Sequence, residues 1–118
     1  MTDTLHTIRI DTRGPVVLVL IAGEIDASNA ATIASELSAL AARCMIVDLN
    51  DVQYLDSAGI AMLDRLRRSC ELLLVVPEHS IVHRTMEIVG FDQLVPFFTS
   101  VDDALASAAG PEPGGARS

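Results

Sequence analysis

The stretch Val47-Asp48-Leu49-Asn50-Asp51-Val52-Gln53-Tyr54-Leu55-Asp56-Ser57-Ala58-Gly59-Ile60 decides how this 118-residue chain is read. An apolar strand runs into polar residues, read as a turn over Asn50 to Asp56, and Asp56-Ser57-Ala58-Gly59 opens an amphipathic helix. A hydroxyl at a helix start stands among backbone N–H groups that have no intrahelical partner. Asp56 adds a neighbouring carboxylate and Gly59 permits close approach. The stretch is a place to hold or receive a phosphate.

Working outward, Leu5 to Asp11 alternates apolar and polar residues as a short strand does, and Arg13-Gly14-Pro15 is turn material. Val16 to Gly23 is nearly continuous in apolar residues, as a strand covered on both faces should be. Ser28 or Asn29 can cap a helix carrying Ala30, Ile33, Leu37 and Leu40 on one stripe. Met45 to Leu49 is the third strand, followed by a helix with Gly59, Met62, Leu63, Leu66 and Cys70 on one face. Arg65, Arg67 and Arg68 lie in its last turns, where the helix dipole favours cations. Leu72 to Val76 is a fourth strand, and Val82, Met86 and Val89 mark a third helix that Gly90 ends. Leu94 to Phe98 reads as an edge strand because of Pro96, and Ser100-Val101-Asp102-Asp103 opens a last helix through Ala109.

This order predicts an α/β fold, a mixed and mainly parallel sheet of roughly five strands with four helices. One domain over residues 1–109 and a disordered tail over 110–118 are expected, the tail being rich in Pro and Gly. In such sheets sites lie beyond the carboxyl ends of the strands. Three loops qualify: Glu24 to Asn29, Asn50 to Gly59, and Pro77 to Ser80. The first two each supply an exposed Asp and a Ser, and they converge on one edge.

Half of the residues are hydrophobic, so a core is expected without a disulfide, metal or cofactor. The net charge of −8 argues against direct nucleic-acid binding, which needs a basic face. The longest apolar run, Pro15 to Ala22, is far short of the ~20 residues that cross a bilayer, and no signal peptide is visible. A cytoplasmic protein with no membrane partner is expected. All eight basic residues are Arg. Without lysine, P-loop and Schiff-base chemistry are excluded, and a phospho-aspartate receiver is disfavoured. Cys44 and Cys70 have neither metal-ligand nor C-x-x-C spacing and read as small buried hydrophobes.

The run Leu49 to Ile60 closely resembles the signature of STAS domains, the anti-sigma factor antagonists. Leu20-Ile21-Ala22-Gly23-Glu24-Ile25-Asp26 before an Ala-rich helix agrees, as does Val76-Pro77 before a helix ending Val89-Gly90-Phe91. The resemblance covers roughly residues 5 to 109. It implies an antagonist that binds an anti-sigma factor of histidine-kinase-like ATPase fold and so frees the sigma factor. That partner would phosphorylate Ser57, switching the antagonist off, and a PP2C-type phosphatase would reset it. The family's loop aspartate falls on Asp26. Where many members have a second serine, this chain has Ala58, leaving one acceptor hydroxyl. The docking surface implied comprises Asp26, Ser28, Asn29, Asp56, Ser57, Ala58 and Gly59. The resemblance also implies that the third and fourth strands flank the second, which separates Cys44 and Cys70 by about 9–10 Å, beyond reach of a bridge.

The alternative is a non-switching STAS scaffold, a subunit of a stress-signalling or lipid-transport complex that uses the same surface for constitutive docking. No enzyme is expected. A serine hydrolase would want glycine where Leu55 stands before the Asp56-Ser57 pair, and His6, His79 and His83 read as surface residues rather than a base.

Overall fold

The computed structural model describes residues 6–109. In chain order they form β1 (His6–Arg13), β2 (Val16–Ile25), α1 (Ala30–Ser38), β3 (Cys44–Leu55), α2 (Ser57–Ser69), β4 (Glu71–Val75), α3 (Ile81–Ile88), a 3-10 turn (Phe91–Gln93), β5 (Phe97–Phe98) and α4 (Val101–Ala109). The five-stranded sheet has the order β1-β2-β3-β4-β5. Among the described strands only the β1–β2 pair is antiparallel. The expected mixed, mainly parallel α/β architecture is what the chain adopts.

Strand alternation builds two apolar layers. Val19 and Ile21 of β2, Met45, Val47 and Leu49 of β3, and Leu72 and Leu74 of β4 face the helices α1, α2 and α3, packing on Ile33, Leu37, Leu63, Leu66 and Met86. Val16 and Leu18, Cys44 and Ile46, and Leu73 and Val75 point to the other face, where Ala104 of α4 covers them. Both faces of β3 from Cys44 to Leu49 and of β4 from Leu72 to Val75 are thus buried, which is why these segments read as nearly continuous apolar runs. β1, paired on one edge only, is mostly exposed.

Several boundaries differ from the sequence reading. The polar residues Asn50 to Leu55 continue β3 rather than forming a turn, because β2 runs on through Ala22 to Ile25 and offers them a ladder. Two register shifts, at Leu20/Ala22 and Gly23/Glu24, absorb extra residues on β3. Gly23 takes a φ of 107° there, a conformation that favours glycine, and the Asp48 carboxylate accepts from Asn50 N at 2.9 Å. The bulges also explain why alternation fails to show in this segment: only Val52 and Leu55 turn inward. The expected strand from Leu94 shrinks to Phe97–Phe98, since Phe91–Gln93 closes a 3-10 turn and Pro96 cannot donate to a ladder. Val89 lies past the end of α3 and is exposed. Leu5 and the tail over 110–118 lie outside the described residues.

The expected placement of the cysteines is also corrected. β4 flanks β3, not β2, and Cys44 pairs with Glu71, so Cys70 sits one residue from Cys44's partner on the neighbouring strand. The thiols nonetheless stay free, because Cys44 joins the apolar layer under α4 whereas Cys70 packs with the opposite layer. Burial pushes the Cys44 thiol up to about 11, and burial likewise raises Cys70, with Glu71 adding to both.

Candidate functional site

The long β2–β3 ribbon carries the first two loops to a shared tip. Asp56 N donates to Ile25 O at 3.3 Å, tying the residue before Ser57 to the residue before Asp26. The third loop does not reach this tip. β4 leaves β3 at Asp48, and β3 continues a further seven residues to Leu55, a rise of up to about 23 Å. Among the described residues no hydrogen bond joins Pro77–Ser80 to the other loops.

Asp56, not Ser57, caps α2. Its backbone is extended and its Oδ1 accepts from Ala58 N at 2.9 Å and Gly59 N at 3.2 Å. Ser57 is the first helical residue and is exposed, and its hydroxyl has no hydrogen-bond partner among the described residues. The expected pool of open amides is therefore largely filled: Asp56 Oδ1 takes those of Ala58 and Gly59, and Asp56 N itself donates to Ile25 O at 3.3 Å. A group added to Ser57 Oγ would meet a helix end whose positive pole already holds a carboxylate.

Gly59 serves packing rather than ligand approach. It is buried, and a Cβ there would stand 2.4 Å from Leu55 Cδ1 and 3.0 Å from Ile25 Cγ2. The first turn of α2 thus lies directly against the ends of β2 and β3, which fixes where Ser57 is presented.

The β2–α1 loop is held from below by Asn29. Asn29 is only 7% exposed. Its Oδ1 accepts from Asp26 N at 2.9 Å, while Nδ2 donates to Glu24 O at 2.8 Å and faces His6 Nδ1 at 3.1 Å. The side chain turns back into the loop, so it makes no capping bond to α1 although it stands at the cap position. Asp26 is half-buried; its Oδ1 accepts from Ser28 N at 2.8 Å and Ser28 Oγ at 2.6 Å. The Ser28 hydroxyl, then its amide, hold the Asp26 carboxyl below the usual carboxylate range.

The structure therefore brings Asp26, Ser28, Asp56, Ser57 and Ala58 to the surface of one tip and places Asn29 and Gly59 beneath it. Two features escaped the sequence reading. The His6–Asn29 contact joins residues 23 apart, and no local pattern announces it. Arg65 differs from Arg67 and Arg68: those two bind the two oxygens of Asp64 at 2.6 and 2.8 Å, and Arg65 has no such partner among the described residues. The i+3 and i+4 spacing from Asp64 was the signal available.

The described residues contain no group of three or more His, Cys, Asp or Glu arranged to hold a metal, and no helix long and apolar enough to cross a membrane. The STAS domain family model matches residues 7–104. The anti-sigma-F factor antagonist RsfB of Mycobacterium tuberculosis is 26% identical over 111 residues, covering 88% of this chain and 90% of that protein. Among solved structures, an anti-sigma factor antagonist from Mycobacterium paratuberculosis superposes with a TM-score of 0.79 at 23% identity, over 86% of this chain and 92% of the other. The Bacillus cell fate determinant SpoIIAA in its phosphorylated form superposes at 0.63 with 15% identity, over 86% and 99%. With the matched region spanning nearly all of the described strands and helices, the chain belongs to the STAS domain family.

Proposed function

We propose that this chain is an anti-sigma factor antagonist. It binds a kinase-type anti-sigma factor of histidine-kinase-like ATPase fold, so that the sigma factor is released. Phosphorylation of Ser57 by that partner ends the binding, and a PP2C-type phosphatase restores it. The chain contributes a docking surface and an acceptor hydroxyl, and the partner contributes the catalysis in the cytoplasm. The names of the mycobacterial relatives support the antagonist role, and the phosphorylated state of a Bacillus protein of this fold supports a covalent switch.

The observation that carries the reading is the exposed Ser57 Oγ, without a partner among the described residues, on a tip that also bears the Asp26 and Asp56 carboxylates. A phosphate brings about −1.5 to −2 charges at pH 7. Because Asp56 already occupies the helix N-terminus, the phosphate is not absorbed into the fold and faces whatever docks there. Like charge or stranded charge at an interface costs several kcal/mol. At about 1.4 kcal/mol per tenfold, that is enough to lower affinity a hundredfold or more. Ejection is electrostatic and steric, with the backbone of α2 unmoved. Within this reading Asp26, Ser28, Asp56, Ser57 and Ala58 meet the partner, and Asn29 and Gly59 set their positions from below.

The test is a binding assay with each purified kinase-type anti-sigma factor of the source genome. Ser57→Ala should bind constitutively and Ser57→Glu poorly. Incubation of wild type with the binding partner and ATP should add one phosphate at Ser57 by mass spectrometry. Binding without phosphate transfer would leave a constitutive scaffold in place of a switch.

A further inference from the structure

A groove runs along the α1–α2 seam from the Ser57 tip toward the middle of α2. Its volume is about 230 Å³, and its walls are Ala27 and Ala30 on one side and Ala58, Ala61 and Met62 on the other, with Arg65 at the far end. Ala27 of the β2–α1 loop and Ala58 in the first turn of α2 both border the tip, so groove and tip form one continuous surface. The spacing Ala58, Ala61, Met62, Arg65 keeps one face of α2 along the whole length.

Three properties identify what fits. The alanine walls offer water few hydrogen bonds, while the volume holds several waters at about 30 Å³ each, so an apolar side chain would displace poorly held solvent. The two ends carry opposite charge, with the carboxylates of Asp26 and Asp56 at the tip and an exposed guanidinium about 12 Å along the helix axis from Ser57. That guanidinium has no carboxylate among the described residues, whereas Arg67 and Arg68 are both paired with Asp64. In a chain of net charge −8, a bare cation at the mouth of an apolar groove selects an acidic group from outside.

We infer that this groove receives an apolar side chain of the anti-sigma partner, with a partner carboxylate placed on Arg65. The inference rests on the antagonist reading above and specifies the partner's chemistry at the same surface. The partner segment is bipolar: an acidic residue over Arg65, an apolar side chain in the groove, and its basic end toward Ser57. Arg65 thereby sets the direction in which the segment lies across the switch serine.

The experiment uses the Ser57→Ala protein as background, since it cannot be phosphorylated, and measures affinity for the kinase-type anti-sigma factor. Ala61→Trp fills the groove from α2 and Ala31→Trp from α1; both positions are exposed. Arg65→Glu reverses the mouth charge and Arg65→Lys keeps it. Thr32→Trp, exposed on α1 outside the groove, and Arg68→Glu are the controls. Each filling variant and Arg65→Glu should weaken binding about tenfold or more, with Arg65→Lys and both controls within about twofold. Melting temperatures taken alongside separate lost folding from lost docking. Unchanged affinity in folded Ala61→Trp, Ala31→Trp and Arg65→Glu would overturn this inference while leaving the antagonist reading intact. Equal losses in the controls would overturn it too. Absence of any binding by the Ser57→Ala background would overturn the antagonist reading, and this inference with it.

Discussion

Substituting Gly59 by alanine sets two effects against each other beneath the Ser57 tip. Alanine is favoured over glycine within a helix by up to about 1 kcal/mol, and less in a first turn. Against that, the new Cβ would lie 2.4 Å from Leu55 Cδ1, 3.1 Å from Leu55 Cγ and 3.0 Å from Ile25 Cγ2. An ordinary contact begins near 3.4 Å, so the nearest methyl must retreat by about 1 Å. Rotation of that methyl is not sufficient, because Leu55 Cγ and the fully buried Ile25 also crowd the position. Overpacking of this kind costs roughly 1–3 kcal/mol. The sum is a net destabilisation of about 1 kcal/mol, equivalent to a melting temperature lower by about 4–8 °C in a domain of this size. Urea denaturation followed by circular dichroism reads it directly. A Gly59→Ala protein as stable as wild type or more so would refute the packing argument, because helix propensity would then have decided the outcome.

Other consequences follow from the same geometry. Ser28→Ala removes the hydroxyl that holds the Asp26 carboxyl low. Its pKa should rise toward the ordinary 3.8 in an NMR titration. Because the lowered value stabilises the fold above the ordinary carboxylate range and fades as pH falls through the folded value, the variant should lose stability at neutral pH but not in strong acid. Asn29→Ala strands Asp26 N–H and Glu24 C=O, which should cost about 1–3 kcal/mol and quicken amide exchange at Asp26. The buried Cys44 thiol, raised to about 11, should resist iodoacetamide at neutral pH in the folded protein. Since its neutral form is the one the fold favours, stability should fall as pH climbs above 9 toward 11, and Cys44→Ala should blunt that fall.

The parts of the fold that were legible in the sequence are those governed by local periodicity. The stripes of α1 and α2 and the apolar strands starting at Val16 and near Leu72 depend on residues within a turn or two of one another. What the sequence hid depends on pairing at a distance. Asn50 to Leu55 look like a turn by composition, and only the continuation of β2 beside them makes them a strand. The bulges broke the alternation that would otherwise have exposed it. The order of β3 and β4 is likewise a property of the assembled sheet, which is why the separation of Cys44 from Cys70 came out wrong. At the site, the sequence brought Ser57 and the carboxylates to one tip but did not decide which residue caps α2. Asp and Ser both cap well, and the backbone at Asp56, extended where Ser57 is already helical, decides between them.

The account depends on Ser57 governing affinity through added negative charge. The most direct measurement is the dissociation constant of the kinase-type anti-sigma factor for the wild-type protein before and after stoichiometric phosphorylation, with amide chemical shifts recorded on both forms. A hundredfold or greater loss of affinity, with shifts confined to the tip around Asp26 and Asp56–Gly59, is the predicted result. Equal affinity for the two forms, or shift changes spread through the β-sheet, would contradict it.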